Sequence, residues 1–331
     1  MRVGVRDGRV VGWDEAAGAW VVVGEDMLRF LGGGIEAVRE AGRTFGSAYR
    51  EIAAGGPEGL PLEAGSLRCF ALWEEHMING AKGLVREFGS GRIKRVAGAF
   101  ERITGRVPAA MRPRANYYRD PQFYLGNHRA FVADGATVEW PSFARVLDFE
   151  LELGIVIARP VKDCGTAEGR AAIGGFVVVN DWTARDTQWD DTRRGTFGGV
   201  VKAKTFANGM SSIVVTADEV LPRWRELTGT VTVNGATWAR SSTAGPMFDL
   251  GTVVAYAARG EQLRPGDVLS SGTLPGLCGL EIGRFPLPGD EVRLDLDLGE
   301  GEPISLTGIL GTAERRARFT AGSPSTPITM R

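Results

Sequence analysis

Histidine and cysteine are scarce: two and three among 331 residues. Cys69, Cys164 and Cys278 are odd in number, widely spaced and form no C-x-x-C pair. That argues against a disulfide framework and a zinc ribbon. No apolar run approaches the roughly 18 residues that a membrane helix needs. The opening MRVGVRDGRVVGW carries charges and no apolar signal core, so a soluble cytoplasmic chain is expected. Excess charge is missing too. Lys plus Arg is 39 and Asp plus Glu is 40, a net charge of −1 with no field for nucleic acid or an anionic membrane. No G-x-G-x-x-G follows a strand, and no Walker lysine follows Gly32-Gly33-Gly34. Glycine is plentiful at 47 residues without a G-X-Y period, which reads as many tight turns. Hydrophobic residues at 43% and charged residues at 24% complete the balance of a globular chain.

The first segment reads as strands. Val3, Val5, Val10 and Val11 flank Asp7-Gly8, a hairpin signal, and Trp20 to Val23 follows. Ile35, Val38 and Phe45 then suggest a helix that ends near Gly55-Gly56. The Gly- and Pro-rich stretch from Gly55 to Gly65 divides a small N-terminal domain, 1–65, from the remainder, 66–331. Leu151 to Ile157 and Phe176 to Val179 are apolar and β-branched, and Thr230 to Val233 runs into the turn signal Asn234-Gly235. Val292 to Leu298 alternates. Helices are expected over Glu74 to Phe88, Ala167 to Ile173 and Gly251 to Ala258. The pattern is β-rich α+β, without regular βαβ alternation.

Chemistry concentrates in two stretches. In Leu147-Asp148-Phe149-Glu150-Leu151-Glu152-Leu153 the period of a strand puts Asp148, Glu150 and Glu152 on one face. Two readings stand: a solvated acidic face, or a site for a hard divalent cation, since adjacent carboxylates raise each other's pKa unless a cation lies between them. Asp181 lies where the apolar run Phe176 to Val179 exits into a loop, as a functional group or as an Asx turn or helix cap.

Taken together, D-F-E-L-E-L-G-I-V-I, V-N-D-W-T-A-R-D-T-Q, Lys204-Thr205-Phe206-Ala207, Pro265-Gly266-Asp267, Ser271-Gly272-Thr273-Leu274-Pro275-Gly276 and Leu287-Pro288-Gly289-Asp290 resemble the fumarylacetoacetate hydrolase family. The resemblance runs from about Leu67 to Leu310. It implies a mixed β-roll catalytic domain and a divalent metal, Mg²⁺ or alternatively Mn²⁺ or Ca²⁺, held by Glu150, Glu152 and Asp181. It also implies Lys204 beside the metal, Arg185, Gln188 and Thr273 around the substrate, and His76 as a general base oriented by Glu281. Tyr124 resembles an aromatic lining the site, with a place in the core as the other reading. His128 matches nothing in the pattern and reads as surface. Two positions depart from the family enzyme that names the group: Cys69 stands for a ligand aspartate and Ala71 for a substrate tyrosine.

The expected activity is metal-dependent hydrolysis of a C–C bond in a β-dicarbonyl or acylpyruvate-like acid. It would proceed through a metal-stabilised enolate, with His76 activating water. The alternative is a metal-dependent decarboxylase, isomerase or lyase on a related 2-oxo acid, and a non-catalytic binding protein stands behind both. A small oxo-acid substrate, no nucleic acid, no membrane and a homodimer complete the expectation.

Overall fold

The structure, a computed structural model, describes residues 1–298 and 301–312. Its framework is an eleven-stranded sheet. Nine of these strands form a continuous path. In chain order they are β1 (Arg2–Arg6), β2 (Arg9–Asp14), β3 (Ala19–Gly24), β4 (Ser66–Phe70), β5 (Phe123–Gly126), β6 (Glu150–Ile157), β7 (Ile173–Asn180), β8 (Ile213–Thr216) and β9 (Asp267–Cys278). The spatial order is β3-β2-β1-β8-β7-β6-β9-β4-β5. β6 and β7 lie near its centre and every residue of both is buried. This is why their sequences are continuous apolar runs rather than alternating ones.

A five-stranded sheet, 236–242, 228–233, 291–296, 304–310 and 136–138 in spatial order, packs against this framework. One core cluster takes Leu151 and Val178 from the large sheet and Leu294 and Leu306 from the smaller one. The architecture is the β-rich α+β fold expected from the sequence.

Both hairpin signals form two-residue turns. Asp7 and Gly8 have φ of 50° and 75°, and Asn234 and Gly235 have 49° and 77°, the left-handed pair of a type I′ turn. The register of β9 against β6 shifts between Ser270 and Thr273. Gly272 sits in that shift with φ of 84°, and a Cβ there would lie 2.4 Å from the Phe70 carbonyl oxygen. Only glycine fits this bulge, and the bulge aims the neighbouring side chains at the site.

Residues 1–65 extend the large sheet. β1 pairs antiparallel with β8, Arg2 opposite Val215. The Met1 amine donates to Thr216 Oγ1 at 2.8 Å. A second core cluster joins Val3, Val10 and Phe30 to Leu67, Val156 and Val177. Of the expected 66–331 unit, residues 299–300 and 313–331 lie outside the described residues.

Helix α1 (Met27–Gly32) is followed by α2 (Gly34–Phe45). The expectation that this helix continues to Gly55-Gly56 is wrong. It stops at Phe45 before Gly46, and the chain then turns back along β3. Val22 N donates to Glu51 O at 2.9 Å and Ala53 N to Trp20 O at 2.8 Å. The open edge of β3 offers these residues better hydrogen-bond partners than further helix does.

The other helices fall where expected: α3 at Glu74–Phe88, and helices at Thr166–Ala171 and Leu250–Ala257. Three more are α4 (Gly91–Thr104), α5 (Arg185–Arg194) and α6 (Gly279–Ile282). No helix among the described residues is long and apolar enough to cross a membrane.

Candidate active site

The acidic strand departs from its expected form in two ways. Asp148 belongs to a short strand, Leu147–Asp148, paired with Thr183–Ala184, and β6 begins only at Glu150. All three carboxylates are buried, Asp148 at 0%, Glu150 at 3% and Glu152 at 2% exposure, which rules out the solvated acidic face.

Register explains the gathering of Glu150, Glu152 and Asp181. Val179 stands opposite Glu152 in the β6–β7 ladder, so Asp181, just past the end of β7, arrives beside Glu150. Asp181 N donates to Glu150 O at 3.1 Å, and Asn180 Oδ1 accepts from Glu150 N at 2.9 Å. One carboxylate oxygen from each of the three acids lies within 4.8 Å of the others.

Lys204, in a short 3₁₀ turn, donates from Nζ to Glu150 Oε2 and, at 2.6 Å, to Asp181 Oδ2. Tyr124 on β5 donates its hydroxyl to the same Asp181 oxygen at 2.5 Å. Glu152 accepts from Ser270 and, at 3.3 Å, from Thr273 Oγ1. Asp181 Oδ1 is buried and without a hydrogen-bond partner among the described residues. An orphaned carboxylate oxygen in an oxygen-only cluster is what a hard divalent cation needs, so the residues present fit the metal that the resemblance implies.

The titration directions match this crowding. Burial, then the Asp181 and Glu150 charges, push Glu152 well above the usual carboxylate range. Burial also raises Asp181, partly offset by Lys204. Burial acts upward on Glu150 as well, but Lys204 and Arg185 overcome it and hold that carboxyl below its ordinary value. Against burial, the Asp181 and Glu150 charges keep Lys204 protonated.

Arg185, at the first position of α5, is 2% exposed. Its Nε donates to Asp148 Oδ2 at 2.7 Å, Nη1 donates to Gln188 Oε1 at 2.9 Å, and Nη2 lies 2.7 Å from Glu150 Oε1. Asp148 also accepts from the backbone of Gly279 at 2.7 Å and Leu280 at 2.8 Å, tying α5 to α6.

His76 lies in the first turn of α3. Its Nδ1 is 2.6 Å from Glu281 Oε1. Glu281 is fixed in turn by Gly276 N at 3.1 Å on Oε2 and by the Cys278 thiol at 3.5 Å on Oε1. Nε2 has no partner among the described residues, and the ring lines the same cavity as the acids. A Cβ on Gly83 would stand 2.5 Å from Leu280 O, so α3 rests directly on the turn that carries Glu281.

This cavity holds about 350 Å³. It brings together His76, Lys204, Arg185, Gln188, Thr273, Tyr124, Glu150, Glu152 and Asp181, with Glu281 behind His76. Cys69 and Ala71, the two departures, line it as well. Cys69 is not in the 4.8 Å acidic cluster, and burial followed by the Asp181 and Glu152 charges holds its thiol well above its ordinary pKa. His128 lies apart, in a short turn after Asn127.

Sequence reasoning missed three groups. Asp148 was visible as an acid, but its commitment to Arg185 was not. Ser270 lies one residue before the Ser271-Gly272-Thr273 motif, outside the pattern that carries the resemblance. The cavity-lining Met77, Gly80 and Leu84 follow His76 at helical spacing, and that spacing was the available signal.

The profile described as fumarylacetoacetate (FAA) hydrolase C-terminal matches residues 93–312. A Burkholderia multivorans protein with a provisional hydrolase name is 33% identical over 173 residues, 51% of this chain and 59% of that protein. The chain thus matches under two thirds of that relative's length. The human mitochondrial oxaloacetate tautomerase FAHD1 is 27% identical over 158 residues, 48% of this chain and 71% of that protein. The crystal structure of maleylpyruvate hydrolase from Sphingobium sp. SYK-6 shares the fold, with a TM-score of 0.63 and 16% identity over 94% of this chain and 100% of that one. With two thirds of its length matched by the profile, the chain belongs to the fumarylacetoacetate hydrolase family.

Proposed function

We propose that the protein is a divalent-metal-dependent hydrolase that cleaves a C–C bond in an acylpyruvate-like or β-dicarbonyl acid. One observation carries this reading. A buried acidic triad with an orphaned oxygen and a carboxylate-backed histidine share a single cavity. Two relatives are named for 2-oxo acids, maleylpyruvate and oxaloacetate.

Mg²⁺, or Mn²⁺ or Ca²⁺, held by Glu150, Glu152 and Asp181 supplies Lewis-acid polarisation of substrate oxygens when bound. His76, its Nδ1 fixed on Glu281, takes a proton from water at Nε2. The water oxygen bonds to the acyl carbonyl carbon. The C–C bond to the pyruvate part then breaks, its electron pair moves onto that part, and the proton on His76 returns there. Lys204 and Arg185 set fixed positive charge beside the developing oxyanion. Thr273 and Gln188 present polar groups to the substrate, and Tyr124 closes one wall.

Family members also include tautomerases, and the match to the human enzyme favours a second reading: isomerisation, tautomerisation or decarboxylation of a related 2-oxo acid at the same centre. Turnover of acylpyruvates by the Mg²⁺-loaded protein in oxygen-18 water separates the two. Hydrolysis yields pyruvate and an acid that carries the label. Acceleration of oxaloacetate enol–keto exchange with no acylpyruvate cleaved would put the second reading in first place.

A further inference from the structure

The chemical groups of the cavity are unevenly placed along α3. His76 stands at its start, and the later α3 residues lining the cavity are Met77, Gly80, Ala81 and Leu84. At about 1.5 Å per residue this uncharged face runs roughly 12 Å from the histidine. Leu280 and Phe123 add to it from other elements.

Among the described residues no free cation lines that face. The two cationic side chains that line the cavity among the described residues are committed at the acidic end, Lys204 to Asp181 at 2.6 Å and Arg185 to Asp148 at 2.7 Å. The cations of α3 itself turn to a separate cleft against α4. There Lys82 lies 3.0 Å from Glu101, and Arg86 donates to Leu280 O at 2.6 Å.

Gly80 marks the space. Glycine inside a helix costs stability, so it needs a reason. At Gly83 the reason is the close approach to Leu280. At Gly80 a Cβ would meet only His76 Cε1, at 3.9 Å. Packing does not demand glycine at this buried position, and its missing side chain leaves room in the cavity beside the histidine.

We infer that the substituent beyond the reacting carbonyl is an uncharged apolar chain or ring lying along the Met77–Leu84 face of α3, and that a second carboxylate at that end is rejected. The inference rests on the 2-oxo-acid reading above and adds the class of the tail. Met77 is 36% exposed, so a carboxylate placed there would lose part of its hydration, and it would gain no counterion from the described residues that line the cavity. Each buried methylene should instead improve selection about fourfold.

Two matched sets test this with the Mg²⁺-loaded full chain. The first is acetylpyruvate, hexanoylpyruvate and the ω-carboxylate counterpart of the latter, compared by kcat/KM. The second is 2-oxooctanoate against 2-oxo-octanedioate, compared by calorimetric binding without need of turnover. We expect hexanoylpyruvate to exceed acetylpyruvate and to exceed its ω-carboxylate form at least tenfold, and 2-oxooctanoate to bind the tighter of its pair. Gly80→Leu should cut the hexanoyl-to-acetyl ratio at least tenfold. Gly80→Ala, which favours the helix, should move it the same way by less and covers any folding failure of the leucine variant. Leu84→Arg should shift preference toward the ω-carboxylate acid.

Equal or better use of the ω-carboxylate forms in both sets overturns the inference, as does a ratio unmoved in both Gly80 variants. If no acylpyruvate is cleaved while 2-oxooctanoate still binds more tightly, the hydrolase reading falls and the tail inference stands. If neither oxo acid binds and no acylpyruvate is cleaved, both fall.

Discussion

His76→Ala is expected to lower kcat by about 10²–10⁴-fold on a hydrolysed substrate while calorimetric Mg²⁺ affinity stays near that of the parent. The geometry behind this is the 2.6 Å contact with Glu281, which fixes Nδ1 and frees Nε2. Comparable rates in parent and variant would point to chemistry that dispenses with the base. Cys69→Ala should change Mg²⁺ affinity little, because a thiol is a poor ligand for a hard cation and Cys69 is outside the acidic cluster. Cys69→Asp should tighten it, and the same titration reads both variants. Asp148→Ala removes the carboxylate that pairs with a buried guanidinium at 2.7 Å and also accepts from Gly279 N and Leu280 N, and urea unfolding should show a loss of about 3–5 kcal/mol. At this scale the sequence showed which acids were unusual, because the alternation around Glu150 and Glu152 is local. It did not show that Asp148 leaves the strand to hold Arg185, since that pairing spans 37 residues and is made by packing.

Between elements, α3 packs closely on α6 at the site. Gly83→Val puts a branched side chain where a Cβ alone would stand 2.5 Å from Leu280 O. Overpacking of this kind costs about 1–3 kcal/mol. It should also separate His76 from Glu281, so kcat should fall together with the melting temperature. A variant that melts lower but turns over normally would show that the pair tolerates displacement. α3 was legible in full because its boundaries rest on local signals, an apolar period and Gly89 at the end. α2 was not. Its apolar pattern thins after Phe45, and the competing backbone partners come from β3, which sequence alone does not place beside it. Which face of α3 borders the cavity was equally hidden, since an apolar helix face reads the same toward a core as toward a substrate.

Across the whole molecule, residues 1–65 share a sheet and a core cluster with the strands of the site. Calorimetry of the full chain is therefore expected to show one unfolding transition. Two separated transitions would mark 1–65 as a unit that folds by itself, the division that the Gly- and Pro-rich stretch suggested. That stretch was visible in composition, whereas the pairing of Arg2 with Val215 is far too distant in sequence to be read there. Light scattering across protein concentration tests the expected homodimer, and a mass of one chain throughout would set it aside. One further property follows from the burial of Lys204 and Arg185 among acids. Asp148, Glu150, Glu152 and Asp181, when ionised, exceed the two cations by two negative charges. Burial and the neighbouring charges push Glu152 toward its protonated form in the bare protein, so an anionic substrate there meets part of that surplus, in a low-dielectric setting where it repels. One divalent ion bound by the triad would cancel the full surplus. Loading therefore has a direction: the ion enters first and the acid second, and equilibrium dialysis should find the acid retained only after the ion is in place.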